Sequence, residues 1–163
     1  MTDSAEPKPL IPALAPFYDK SRDLAWLVVR CTAGGILLVH GLDKVLYRSI
    51  AGSASGSLSR RGIEPSMALA YVVFFLETVG AVCIIVGLFT RFFAAALGIQ
   101  FLIITFHAHW PQGFGWNRPG GGWEYPLFWG LIWLAIGLRG PYSLASWGAS
   151  SEEIVTRSLP PTL

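Results

Sequence analysis

The amino-acid sequence predicts an all-α, polytopic membrane protein folded as an antiparallel bundle of four transmembrane helices. Hydrophobic residues make up 53% of its 163 residues and charged residues only 13%, about half of the share that is usual in soluble domains. The charged residues also avoid four long stretches of the chain. A soluble helical bundle, the competing interpretation, needs a polar outer face on each helix, and none of the four stretches supplies one.

The four stretches predict helices at residues 24–43, 66–89, 92–110 and 124–140. The second stretch contains a single charged residue, Glu77, and the only ionisable side chains of the third are His107 and His109. A helix of about 20 apolar residues spans a hydrocarbon core of roughly 30 Å, and the first three stretches reach that length. The fourth is shorter, and Trp123 and Tyr142 extend it into the membrane interface.

The chain divides into a Pro-rich N-terminal arm, a membrane domain and a C-terminal tail, at residues 1–23, 24–145 and 146–163. We expect the arm to be extended, and its prolines and mixed charges do not match a cleavable signal peptide. The Gly- and Ser-rich residues 52–57 predict a flexible first connection. A short turn at Thr90-Arg91 predicts that the second and third helices form an antiparallel hairpin.

Four spans place both termini on the same side of the membrane. That side carries seven of the basic residues and the other side five, so the positive-inside rule predicts that both termini are cytoplasmic. We therefore expect an integral protein of a bacterial-type inner (plasma) membrane, with the lipid bilayer as a partner. The net charge of +2 and the lack of a basic stretch do not predict nucleic-acid binding.

The faces of the helices predict an ion pair inside the membrane between Arg30 and Glu77. At 100° per residue, each of the two lies on a stripe of small residues in its helix. Small residues line close contacts between helices in lipid, so both side chains are expected to face the interior. Because a lone charge in lipid is costly, we expect a direct or water-bridged pair. A protonated Glu77 bonded to a backbone carbonyl is the alternative.

Four ionisable residues on three helices predict a binding site at the non-cytoplasmic end of the bundle. His40 and Lys44 end the first helix, His109 ends the third, and Glu124 begins the fourth. Ionisable groups at this depth indicate function. A quinone or another small polar-headed ligand fits them best, because its site needs an apolar slot with groups that exchange protons. In the alternative reading, Glu124 only stabilises the start of its helix.

Other cofactors fit this cluster less well, and the cofactor stays open. A haem could be held by His40 and His109, but His40 lies at the edge of its helix's inward stripe. A zinc ion needs about four ligands, whereas His40, His109 and Glu124 supply three, so no metal site is predicted. Cys31 and Cys83 lack the CxxC spacing of a dithiol enzyme.

Short motifs stand in a characteristic order along residues 25–145: Arg30, His40-Gly-Leu-Asp-Lys44, Glu77, Gly87-Leu-Phe-Thr-Arg91, His109-Trp-Pro-Gln-Gly-Phe114, Gly121-Gly-Trp-Glu-Tyr-Pro126 and Gly140-Pro-Tyr-Ser-Leu144. By this order and spacing the chain resembles the DoxX family of small four-helix membrane proteins. These are related to DoxD, the small subunit of thiosulfate:quinone oxidoreductase. Ala145 departs from the pattern, since the family often has an Asp at that point.

The resemblance implies a small membrane subunit associated with a quinone-linked or other redox complex, with other membrane subunits as partners. The alternative is a non-catalytic accessory subunit that packs against a larger membrane complex and stabilises it. The sequence does not decide whether the chain is itself an enzyme.

Overall fold

The computed structural model describes residues 11–140, and all regular secondary structure in that range is helical. Its six α-helices are α1 (Ala15–Leu46), α2 (Ile50–Ser53), α3 (Ser66–Phe75), α4 (Ala81–Val86), α5 (Thr90–Ile103) and α6 (Glu124–Arg139). Three π-helical segments continue these helices, at Ala54–Leu58, Leu76–Gly80 and Ile104–His109. Short 3₁₀ turns lie at Pro12–Leu14, Ser59–Arg61 and Trp110–Gln112.

Three helical rods are long and apolar enough to cross a membrane: Leu24–Leu46, Ser66–Val86 and Thr90–Gln112. The second rod joins α3, a π segment and α4, and the third joins α5 to the π segment and 3₁₀ turn that follow it. These confirm the expected membrane protein with transmembrane helices. α6 has 16 residues and is not among the three candidates, so a fourth span is not shown.

Two boundaries differ from the sequence-based expectation. α1 begins at Ala15 rather than at residue 24, so residues 15–23 are helical and not extended. Pro16 does not prevent this, because proline in the first turn of a helix gives up an N–H that has no intrahelical partner. The segment 52–57, expected to be flexible, is also helical. Residues 1–10 of the arm, Tyr142, Ala145 and the predicted C-terminal tail lie outside the described residues.

The antiparallel hairpin forms at residues 87–89, just before the predicted turn. Gly87 has φ +89°, a left-handed conformation that glycine adopts without strain. The N–H of Gly87 donates to the carbonyl of Ile84, and the N–H of Leu88 donates to that of Cys83 at 2.7 Å. This pair of bonds closes the end of α4, and Thr90 then begins α5.

The core is built where the inner faces of α1, α4, α5 and α6 meet, and its buried members are Ala33, Leu37, Ala81, Ile84, Phe93, Ala94, Leu97, Trp133 and Ile136. α1 packs mainly on α4 and on the π segment Leu76–Gly80, and α5 packs mainly on α6. A Cβ atom added to Gly41 would lie 2.7 Å from the carbonyl oxygen of Glu77. Glycine at that position therefore lets α1 approach the π segment closely.

Three close approaches fix the antiparallel register of α1 against the second rod. Arg30 lies against Gly87, Gly34 lies against Ile85, and Gly41 lies against Glu77. Glu77 is therefore level with the far end of α1, close to Lys44 and about 16 Å along the helix from Arg30 at 1.5 Å per residue.

Candidate functional site

A cavity of about 160 Å³ lies between α1, α5 and α6. Its lining is Ala33, Ile36, Leu37, His40, Lys44, Glu77, Phe101, Ile104, Tyr125, Trp129 and Trp133. An imidazole, an ammonium and a carboxylate line it, from His40, Lys44 and Glu77, and the other lining residues are aliphatic or aromatic. A protein cavity of about 150 Å³ holds a benzene molecule, so this cavity has room for a single six-membered ring.

The carboxylate of Glu77 is the centre of a buried polar network. Its residue is only 5% exposed. The ammonium of Lys44 forms an ion pair with its Oε2, and the amide Nε2 of Gln100 donates to its Oε1 at 2.8 Å. Lys44 also donates to the carbonyl of His40 at 3.2 Å. One carboxylate thus ties α1 and α5 to the π segment between them, and both its oxygens are satisfied.

The predicted Arg30–Glu77 ion pair is wrong in its cation. Glu77 is buried as expected, but it pairs with Lys44. A side chain on a helix leans toward the N-terminus of that helix. Lys44 therefore leans back toward the level of Gly41 and Glu77, whereas Arg30 leans away from them toward Gly87.

The structure divides the predicted outer cluster into two parts. His40 and Lys44 line the cavity. His109 and Glu124 do not, and they bind the loop that joins the third rod to α6. His109 Nδ1 lies 2.8 Å from the carbonyl oxygen of Gly121, and the N–H of Trp116 donates to Glu124 Oε1 at 2.8 Å.

A series of aromatic rings connects this loop to the cavity. The ring centroids of His109 and Trp116 are 5.3 Å apart, and those of Trp116 and Tyr125 are 4.8 Å apart. Tyr125 then contacts Trp129 at 6.1 Å, and Trp129 stacks on Trp133 at 6.3 Å. The last three rings are cavity walls. His109 and Glu124 are therefore placed to position the walls through Trp116, without touching the cavity themselves.

Two other tryptophans beside this loop form a separate stack. The rings of Trp110 and Trp123 lie 5.0 Å apart at an interplanar angle of 23°, and Phe114 packs edge-on against Trp123. These rings do not line the cavity. His107 Nε2 lies 3.0 Å from the carbonyl oxygen of Arg61, so this histidine joins the first connection to the third rod.

Sequence reasoning missed the role of Gln100 and assigned Glu77 to another partner. The sequence carried a signal for Gln100, because it is a polar residue deep in a charge-free stretch. In the structure its residue is only 8% exposed. The π-helical geometry at Glu77 and His109 had no signal in the sequence. Such π segments are frequent at functional sites, because the extra residue per turn redirects side chains.

The positions of these residues can be compared with the requirements of a metal ion, a haem and a dithiol. Within residues 11–140 no group of three or more His, Cys, Asp or Glu side chains is arranged to hold a metal ion. His40, on the cavity, is also separate from the loop contacts of the other two proposed zinc ligands. A haem macrocycle has four pyrrole rings, which exceeds a cavity sized for one ring. Cys31 and Cys83 are free thiols.

Comparison with known protein families identifies a match for this chain. No curated protein and no solved structure matches the chain. The DoxX family matches residues 25–110, which is 86 residues and just over half of the 163. The matched region contains the Lys44–Glu77 pair and Gln100, and it ends before the loop and α6. On this match the chain belongs to the DoxX family of membrane proteins.

Proposed function

We propose that the cavity binds a single-ring head group, a quinone above all, and that the chain serves as the small membrane subunit of a quinone-linked or other redox complex. The observation that carries this proposal is the buried Lys44–Glu77 pair at one end of an otherwise largely apolar cavity. Ligand sites of this kind combine apolar walls with a few polar groups that orient the ligand.

The polar end supplies the chemistry that a quinone needs. Conversion of a quinone to a quinol takes up two electrons and two protons. In our proposal the Lys44 ammonium, held in place by the Glu77 carboxylate, donates a hydrogen bond to one carbonyl oxygen of the ring, and the two protons come from water. His40 is exposed and also lines the cavity, so it offers a proton path to water. The electrons would come from a partner subunit.

The aromatic walls supply binding energy and shape. Tyr125 and Trp129 line the cavity and contact each other edge to face, and aromatic pairs gain about 0.5–1.5 kcal/mol beyond area burial. His109 and Glu124 act as positioning residues in this proposal, because they hold the loop that carries Trp116 against Tyr125.

The test measures quinone extracted per protein after purification in a mild detergent. We expect Lys44→Met and Glu77→Gln each to weaken quinone binding by about 1–3 kcal/mol, the cost of a lost or unpaired buried polar partner. His109→Ala and Glu124→Gln are expected to have smaller effects. His107→Ala, outside the cavity and its aromatic series, is the control and should leave quinone content unchanged. No quinone in the wild type, or unchanged quinone in both cavity variants, would overturn the proposal.

A non-catalytic accessory subunit is the second candidate, and one observation favours it. Large apolar side chains on α5 and α6 point away from the core, and each is more than half exposed: Phe92, Ile99, Phe128 and Leu131. Either lipid or partner helices can cover them. Mass spectrometry of co-purifying proteins separates the candidates. Isolation only with larger subunits, without quinone, favours the accessory role.

The same proposal includes a fourth crossing and two cytoplasmic termini. α6 is about 24 Å long at 1.5 Å per residue, and it packs along α5 within the third rod. In our proposal α6 therefore returns across an inner (plasma) membrane. Single cysteines at positions 4 and 158, in a Cys31→Ala/Cys83→Ala background, should be labelled from the same side. Labelling from opposite sides would contradict the four-span topology.

A further inference from the structure

Arg30 is a buried cation that the cavity does not use. It is 3% exposed, and its Nε and Nη1 have no hydrogen-bond partner in the part of the chain that the structure describes. A buried charge without a partner is costly, and each unsatisfied buried group calls for an explanation. All free positions of a guanidinium are donors, so what is missing is an acceptor.

Two further buried groups without partners lie at the same end of the bundle. Trp26 is one turn before Arg30 on α1, and its indole Nε1–H is buried and finds no acceptor between residues 11 and 140. Thr90 is fully buried at the first position of α5, and its Oγ1 likewise has no partner there. The indole N–H can only donate, and the hydroxyl can donate too, so both match the same type of ligand.

The backbone at this end of the bundle also favours an anion. The Arg30 guanidinium lies against Gly87, with Nη1 3.2 Å from a Cβ placed there, and Thr90 starts α5 three residues later. The first N–H groups of a helix have no intrahelical partner and favour anions. Arg139 lies over the Trp26 ring at 4.9 Å, so a second guanidinium lies at this end of the bundle.

This group of donors lies at the level of the turn between the second and third rods. The second rod ends at Val86 and the third begins at Thr90, so the turn between them marks where the chain leaves the apolar layer. Lipid phosphates occupy that level, and dissolved phosphate also reaches it.

We propose that Arg30, Trp26, Thr90 and the start of α5 form a binding site for a phosphate-type oxyanion, supplied by a lipid head group or by free phosphate. An oxyanion offers several acceptors to a fork of donors, which is the geometry that a guanidinium recognises. The site is separate from the Lys44–Glu77 cavity and does not depend on its function.

A purely structural role for Arg30 leaves these groups unexplained. A cation next to Gly87 is favourable at the C-terminal end of α4. That attraction supplies no acceptor for Nε and Nη1, and it says nothing about the Trp26 and Thr90 groups on the neighbouring turns.

The test titrates the full chain, in a neutral detergent, with inorganic phosphate, dioctanoyl phosphatidylglycerol and dioctanoylglycerol, which lacks phosphate. Calorimetry gives Kd, and native mass spectrometry counts the bound molecules. We expect one phosphatidylglycerol per chain and no specific dioctanoylglycerol. Binding of phosphate as well identifies a free oxyanion site, and binding of the lipid alone identifies a head-group site.

Three variants decide whether these residues form the site. Arg30→Gln should weaken binding about tenfold or more, since it removes a charge-assisted donor. Thr90→Val keeps the shape, lacks the hydroxyl and should weaken binding about threefold to tenfold. It decides the matter if Arg30→Gln does not fold. Arg60→Gln removes an exposed charge from the opposite end and should have no effect.

Three results would overturn the site. The first is that neither phosphate nor the phospholipid binds the wild type. The second is that dioctanoylglycerol binds as tightly as the phospholipid. The third is that Arg60→Gln weakens binding as much as the site variants do.

Discussion

α1 carries two cations in opposite surroundings, Arg30 at its middle, which is buried, and Lys44 near its C-terminal end, which is partly buried. Lys44 meets the carboxylate of Glu77, which also accepts from Gln100. Arg30 is more deeply buried, yet two of its nitrogens have no partner among the described residues. The Lys44 region forms a polar network beside a cavity in which both carboxylate oxygens are bonded, although the Oε1 of Gln100 has no partner among the described residues. The Arg30 region presents donors without acceptors.

This contrast shows that ion pairing within a membrane bundle depends on the register of the helices and on the direction in which each side chain leans. Both cations lie on the face of α1 that packs on the second rod. Only one of them leans toward the level of the single acidic residue in that rod. The ion pair of Lys44 stabilises the contact between α1 and the second rod, whereas the buried donors of Arg30 lack an acceptor among the described residues.

The largest expected effect comes from removing the carboxylate that joins Lys44 and Gln100. Glu77→Ala leaves Lys44 and Gln100 without their common acceptor. Loss of one partner of a fully buried pair costs about 3–5 kcal/mol, and we expect a cost at the lower end of that range because Lys44 is partly exposed. Glu77→Gln keeps the volume and a hydrogen-bonding group, so it should cost less. The measurement is the unfolding free energy in detergent.

Asp43→Asn is the control for that experiment. Asp43 is next to Lys44 in sequence but pairs with Arg48 at the surface, where the two side chains are 34% and 71% exposed. Such exposed pairs contribute about 0–1 kcal/mol. If both substitutions had the same effect, burial would not distinguish the Lys44–Glu77 pair.

The register of α1 can be tested with two glycines. A Cβ at Gly41 would lie 2.6 Å from Thr78 Cγ2 and 2.7 Å from the Glu77 carbonyl oxygen, whereas one at Gly35 meets nothing within 4 Å. We expect Gly41→Ala to destabilise by about 1–3 kcal/mol through overpacking. Gly35→Ala should be neutral or stabilise by up to about 1 kcal/mol, because alanine favours helix. Thermal unfolding of both proteins checks this, and equal effects would contradict the close approach.

Removal of the unpartnered cation should have a small effect of the opposite sign. In phosphate-free, lipid-free detergent, Arg30→Met replaces an unpartnered charge by an apolar side chain, and we expect stability to be unchanged or higher by about 1 kcal/mol. Denaturant titration measures it. A loss as large as that of Glu77→Ala would mean that Arg30 has an internal partner.

The smallest effect is expected at an exposed carboxylate outside both regions. The hydroxyl of Ser59 and the N–H of Ser66, the latter at 2.6 Å, donate to Glu64 and lower its pKa. Because its folded pKa lies below the unfolded one, Glu64 stabilises the start of α3 above the unfolded pKa, and this contribution is lost as pH falls through the folded pKa.

Hydrogen exchange of the Ser66 amide measures that loss. Its protection should decrease in acid in the wild type and be insensitive to this titration in Glu64→Gln. Equal acid sensitivity in both proteins would show that Glu64 does not stabilise this turn.

The sequence was enough to predict a membrane protein, its helical fold, the hairpin between the second and third helices and the burial of Glu77. These follow from composition and from the spacing of charges, because a charge-poor stretch of 20 residues has few stable alternatives to a membrane helix. The family resemblance also came from residues that can be read in order, and the match over residues 25–110 supports it.

Which charged side chains form a pair depends on how the helices pack, and this could be seen only in the structure. Helical angles show which face a residue lies on, but they do not show how far one helix slides along another. The close approach at Gly41 sets that offset and pairs Glu77 with Lys44. The loop contacts of His109 and Glu124 were hidden for a similar reason, since long-range backbone acceptors such as the Gly121 carbonyl have no signature in sequence. Side-chain chemistry is local and can be read directly, whereas register is a property of the packed bundle as a whole.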